Sequence, residues 1–394
     1  MVPLIHFKSP LVNNLHVHTP YSFSYFSSIA KLINQAAKEG IRVLGINDFY
    51  SMEGYFEFTS LCRKENIFPV YGLEVMALRP EDKRKGILWN DPHNPGRIYL
   101  CGKGFLYPPQ PDKWTVSVLN RIREASQIRI REMIHKLNLE LKRKHLPFLL
   151  SYDEIRETTP SGWVRERHIA KTLLKKIEDL ENSDKVLEIL TGEEKSEFCN
   201  NSSLYQKLLR DNLLKAGGVA YVEEREDAFL SIEEAKKLFL ALEGMPVYPV
   251  LADGGRELTY WEEDPSRLAR NLKRLGFFVA EFIPHRNKLS VLTEYVHCLH
   301  KEGLVITAGS EHNTPENLPL RPVTKDSAHL SKELLKIFWE GCCIVVAHQY
   351  LKSIKEEGFV DELGNRTNRS KEELKEIGEE RIDLYQRHRV SIIE

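Results

Sequence analysis

The sequence predicts an α/β chain: a closed or nearly closed βα barrel interrupted by a mostly helical insertion. Three observations carry this. Short runs of strand type alternate with helical periods over the first hundred residues, and the same alternation returns after about residue 245. Between the two, strand signals almost vanish. Strand–helix alternation at this spacing marks βα units and a parallel sheet. The length of 394 residues suits one barrel with an insertion, or two to three domains at about 150 residues each.

The elements follow in order. Residues 11–18, 43–47, 67–75 and 98–101 read as strands, with helical patterns at 28–39 and 52–65 between them. The Pro-rich YPPQPDKW at 107–114 is a natural hinge. Residues 115–244 form the helical insertion; charges line the outer face of 121–143, and SIEE at 231–234 spells a capping box. Strands return at 247–251, 277–282, 305–308 and 343–347, with helices near 265–275, 289–302 and 332–340. The barrel therefore spans 1–114 and 245–350. Residues 351–394 form a polar helical extension with a solvated face, where SKEE at 370–373 opens a helix.

Composition narrows the class. Apolar residues are 42% and charged residues 29%, which argues against disorder. Lys plus Arg is 56 against 57 for Asp plus Glu, so nothing global draws the chain to nucleic acid or an acidic membrane. No apolar run approaches the ~20 residues of a membrane span, and the first residues lack a signal-peptide pattern. Six cysteines form no CxxC and read as buried thiols. The expectation is a cytoplasmic protein.

The strongest chemical signal is His16-Val17-His18. Residues two apart on a strand face the same side, and the C-terminal strand ends of a βα barrel carry its site. Other strand ends deliver Asp48, Glu74, Asp253, Glu281 followed by His285-Arg286, and Glu311-His312. Mixed imidazole and carboxylate donors suit zinc, manganese or iron(II). Against this, acidic residues also cap helices at βα junctions, which would account for Asp48 or Asp253 taken singly.

The stretches NLHVHTPYS, AAKEGIRVLGINDFYSMEGY, GLEV, YPVLADGG and LVITAGSEHNT, in that order, resemble the PHP (polymerase and histidinol phosphatase) superfamily of metal-dependent phosphoesterases. GWVRERHIAKTLL and the run from Ala216 to Phe239 are similar to the insertion of its nucleotide-phosphatase branch. The resemblance covers roughly residues 12–350. It implies a distorted (β/α)7 barrel, which leaves one strand candidate peripheral, and a site of two or three metal ions. It implies His16, His18, Glu74, His93, Asp253, Glu311 and His312 as metal-ligand candidates.

Departures from the family reshape that site. The family's Ser-Asp-Gly is Ser22-Phe23-Ser24 here, and its Thr-Asp-His is Asn47-Asp48-Phe49. Its Ala-His-Pro is Ala252-Asp253-Gly254, and Asn313 stands where the closing histidine belongs. Phenylalanine holds no metal, so one or two divalent ions (Mn, Zn or Fe) are expected rather than three. Asp48 is released for general-base or histidine-orienting work, and His285 is a second catalytic candidate. Arg165, Arg167, His168 and Arg286 are candidates for binding phosphate, with the insertion expected over the barrel mouth. For Asp253, a ligand role competes with a turn-anchoring one.

The function expected is a hydrolase acting on a small phosphate ester or nucleotide, with metal-activated water as nucleophile. The alternatives are a diverged barrel that binds a ligand without turnover, and a metal enzyme of different chemistry on the same barrel.

Overall fold

The fold is seen in a computed structural model that describes residues 10–192, 202–255, 257–312 and 319–388. Seven strands form one sheet in chain order: β1 (Asn13–Val17), β2 (Val43–Phe49), β3 (Phe68–Leu78), β4 (Arg97–Lys103), β5 (Met245–Val250), β6 (Val279–Phe282) and β7 (Val305–Ala308). The edges meet. Ser310 and Glu311 donate backbone N–H groups to His16 O, and His18 donates to Glu311 O at 3.1 Å, which nearly closes the barrel.

The helices α1 (Ile29–Lys38), α2 (Tyr55–Lys64), α10 (Pro265–Arg274) and α11 (Leu289–Lys301) supply the barrel's crossovers. Local chemistry explains α1. Ser28 Oγ accepts from Lys31 N at its start, and Ile29, Leu32, Ile33 and Ala36 form one buried stripe. One more helix, α3 (Pro80–Lys85), follows β3.

The expectation of a wholly parallel sheet is corrected by β4, which runs antiparallel to both β3 and β5. The residues between β3 and β4 hold only the short helix α3, and the chain returns beside β3 as a long hairpin, not as a crossover.

A second correction concerns residues 343–347, read as a strand. They lie in α12 (Lys332–Ser353), which begins at Ser331, whose Oγ accepts from Leu334 N. A short apolar run looks the same in a buried helix and a buried strand. The helix packs on Val43, Phe68, Met245, Val279 and Val305, the first residues of β2, β3, β5, β6 and β7, and so plugs the barrel floor. By length and composition it is apolar enough to cross a membrane, but 78% of its apolar window is buried inside the protein. Gly341 permits this seat: a Cβ there would lie 2.0 Å from Ile306 O.

The extension after residue 351 is more than a solvated face. Helix α13 (Lys371–His388) buries Leu374, Ile382 and Tyr385 in the same cluster, and Trp339 Nε1 donates to Glu379 across the α12–α13 pair.

The chain divides into two compact units, Met1–Val116 with Leu230–Glu394, and Ser117–Phe229. The second contains most of α4 (Lys113–Arg143), then α5 (Tyr152–Glu157), α6 (Glu166–Glu178), α7 (Ser183–Thr191) and α8 (Ser202–Leu209). Its own core is built from Met133, Leu137, Leu141, Ile169, Leu173 and Leu187. Helix α9 (Ile232–Ala241) has the expected Ser231–Glu234 capping box. It falls in the barrel unit, although the sequence reading places it in the insertion.

Candidate metal centre

The site is built on β1. His16 and His18 share one face of it, and their Nε2 atoms come within 3.4 Å. Glu74, from the middle of β3, brings Oε2 to 3.3 Å from His18 Nε2. All three are buried, and their ligand atoms lie within 4.8 Å of one another. Gly309 makes room: a Cβ there would sit 2.1 Å from His16 Cβ.

The donor set fits a metal ion. Glu281 Oε2 takes His16 Nδ1 at 2.7 Å. A carboxylate there accepts only, so the ring proton is on Nδ1 and Nε2 presents a lone pair. Asn47 Nδ2 lies 3.3 and 3.2 Å from the two ring nitrogens, straddling the ring instead of following either lone pair. Two donors each bonded at 2.0–2.1 Å to a tetrahedral ion stand about 3.3–3.4 Å apart, which is the spacing seen. Burial pushes the Glu74 carboxyl up to about 7, with Glu311 and Glu281 adding to it and His16 and Arg286 opposing. A cation among these donors would relieve that cost.

A second group joins His16, Cys101 and Glu281. This one already contains a cation: Lys103 Nζ lies 2.9 Å from Glu281 Oε1 and donates to Leu15 O at 2.5 Å. Burial works to raise the Glu281 carboxyl, but Lys103 and His16 outweigh it and hold it below its usual value. Cys101 Sγ accepts from Asn47 Nδ2, and burial pushes its thiol well up.

The other expected site residues fall in different places. Asp48 is fully buried, and its oxygens accept from Thr19 N at 2.7 Å and from the hydroxyls of Thr19 and Ser22 at 2.5 Å each. That geometry makes Asp48 an anchor for the loop carrying His18, in keeping with the histidine-orienting alternative of the two roles expected of it. Asp253 accepts from Asn287 Nδ2 and Lys288 N, at 3.0 and 3.2 Å, as the turn-anchoring reading requires, and it lies outside both groups of candidate ligands. His93 is exposed on the loop after α3 and belongs to neither cluster.

Glu311 is buried beside the triad and paired with Arg286. Burial would raise its carboxyl, and Arg286 with the two histidines outweighs this and lowers it. Glu311 and His312 both have positive φ, +61° and +55°, a conformation that costs non-glycine residues energy and is found at functional turns. His312 is held by Ser310 Oγ at Nδ1 and lies outside both clusters; burial takes it down to about 3. His285 Nε2 donates to Pro319 O, 2.9 Å away, and its ring stands 6.3 Å from that of His312. Asn313 lies outside the described residues.

Arg165, Arg167 and His168 belong to the helical unit. His168 caps α6, its Nδ1 accepting from Arg165 N at 3.1 Å, and burial lowers it to about 4. Arg165 stacks over Trp163 at 4.5 Å.

Phe23 and Phe49 stand as an aromatic wall beside His18. Phe23 lies 4.4 Å from the His18 ring and 6.1 Å from Phe49. Sequence reasoning counted Glu281 only among the strand-end carboxylates and missed Lys103. The available signal was a lysine ending a strand of buried type, between Gly102 and Gly104, hidden while that strand was taken as parallel.

Three comparisons with known proteins bear on this barrel. Residues 14–104, which span β1 to β4, match the PHP domain. A Bifidobacterium adolescentis protein assigned as a metal-dependent phosphoesterase superposes with a TM-score of 0.54 at 17% identity, covering 80% of this chain and 93% of that one. An amidohydrolase from Chromobacterium violaceum, solved with sulfate and no metal, superposes at 0.52 with 18% identity, covering 77% and 88%. These two likenesses establish the barrel fold. No curated protein sequence matches the chain.

Proposed function

We propose that this PHP-domain chain is a metal-dependent hydrolase of phosphate esters of a small metabolite or nucleotide. The observation that carries the reading is the convergence of the His16 and His18 Nε2 atoms and the Glu74 carboxylate, buried and at metal-donor spacing. A divalent ion held there would act as a Lewis acid on a phosphoryl oxygen and lower the pKa of nearby water toward about 7.

The chain's own residues do the rest. Arg286 bonds Glu311 through Nη2, and its side chain is 40% exposed, so its other N–H groups can bind a phosphate oxygen. Glu311 holds that guanidinium beside the triad. Asp48 fixes the Thr19–Ser22 turn and with it the direction of His18. Phe23 packs on the His18 ring with Phe49 behind it, and their lack of donor atoms limits the site to one or two ions.

Metal-free protein titrated with Mn²⁺, Zn²⁺ or Fe²⁺ and offered a panel of phosphomonoesters and phosphodiesters tests this. The expected result is metal-restored phosphate release, abolished by His18→Ala. An ion bound with no hydrolysis of any ester would replace this reading with the non-catalytic barrel.

A further inference from the structure

Lys103 is charged, 1% exposed at its side chain, and sits among groups that otherwise attract metal. Its position follows from the reversed direction of β4, which puts Lys103 level with Met245, the first residue of β5. From there the side chain reaches Leu15 O on β1 and Glu281 on β6. Glu281 divides its oxygens, Oε1 toward Lys103 and Oε2 toward His16 Nδ1.

We propose that Lys103 is the built-in cation of the barrel interior. It fills the His16–Cys101–Glu281 cluster so that a metal ion enters only at His16, His18 and Glu74, and through Glu281 it positions His16 for that ion. The proposal rests on reading the triad as a metal site. Its physical basis is charge. A divalent ion against Glu281 would face an ammonium in the same cavity, whereas at the triad it meets two imidazoles and a carboxylate, and the nearby Arg286 is already paired with Glu311. Lys103 also fixes Glu281 at Oε1, and Glu281 Oε2 in turn holds His16 by Nδ1, which leaves Nε2 turned toward the triad. Lys103 is thus a positioning residue and touches no substrate.

Cadmium titration with ¹⁵N NMR of the imidazoles tests both halves. Wild type is expected to bind cadmium without a thiolate-to-cadmium ultraviolet band, and His16 to be protonated on Nδ1 before cadmium is added. In Lys103→Met, the band should appear as cadmium reaches Cys101 and Glu281, the His16 tautomer should become mixed, and triad affinity should fall about 10–100-fold. A thiolate band in wild type, or a Lys103→Met protein with unchanged tautomer and affinity, overturns the proposal. If the variant fails to fold, the wild-type measurements still decide. A wild type that binds no cadmium removes the proposed function, while an Nε2-protonated His16 removes the positioning role.

Discussion

Replacing Glu281 by Gln keeps the side chain's shape and removes its charge. Lys103 then loses the counterion 2.9 Å away, inside a cavity that leaves it 1% exposed. Breaking a buried pair by removing one partner costs about 3–5 kcal/mol. The loss has a ceiling, because an ordinary lysine can shed its proton at pH 7 for about 4.6 kcal/mol. Folding stability should therefore drop by about 3–4.5 kcal/mol. Gln also accepts the His16 proton less strongly than a carboxylate does, so metal affinity should fall by about 10–100-fold. Urea unfolding of metal-free protein reads the first effect, and calorimetric titration of the folded variant with zinc reads the second. Adding Lys103→Met to Glu281→Gln should restore most of the stability and none of the affinity. A loss below about 1 kcal/mol in the single variant would refute the buried-pair account.

His348 gives a pH prediction. It is fully buried, accepts from Phe359 N at Nδ1 and donates from Nε2 to Glu243 O; burial first, then Lys352, takes its pKa down to about 3. Its stabilising contribution is complete above the unfolded value near 6.5 and is lost as pH falls, by about 2 kcal/mol at pH 5. His348→Gln should flatten the fall in unfolding free energy between pH 7.5 and 5 by that amount in urea titrations; equal slopes would count against it. Gly309→Ala should drive His16 off its position, costing about 1–3 kcal/mol and most metal binding, read by melting and elemental analysis. Asp253→Asn should leave metal content unchanged and lower stability by about 1 kcal/mol; depleted metal would return Asp253 to the ligand set.

The barrel was legible because its strands are short buried runs with turn signals between them, and His16 and His18 were legible because a period of two forces them onto one face. Direction was not. Nothing in residues 98–101 says that β4 runs backward, and that reversal is what brings Lys103 to Glu281. Helix α12 hid its identity because, buried on nearly every side, it lacks the polar face that marks an amphipathic helix. Asp253 shows the limit of reading ligands from residue type: a carboxylate at a strand end suits a metal or a turn equally well.

The closure between β1 and β7 gives the barrel an unusual kind of lock. The backbone groups that join the two edges belong to His16, His18, Ser310 and Glu311, the residues that form or flank the triad. Anything gripped by the two imidazoles therefore also staples the seam. The seam bonds and the two imidazoles thus hang from the same stretch of backbone, at the opposite end of the strands from the floor that α12 plugs.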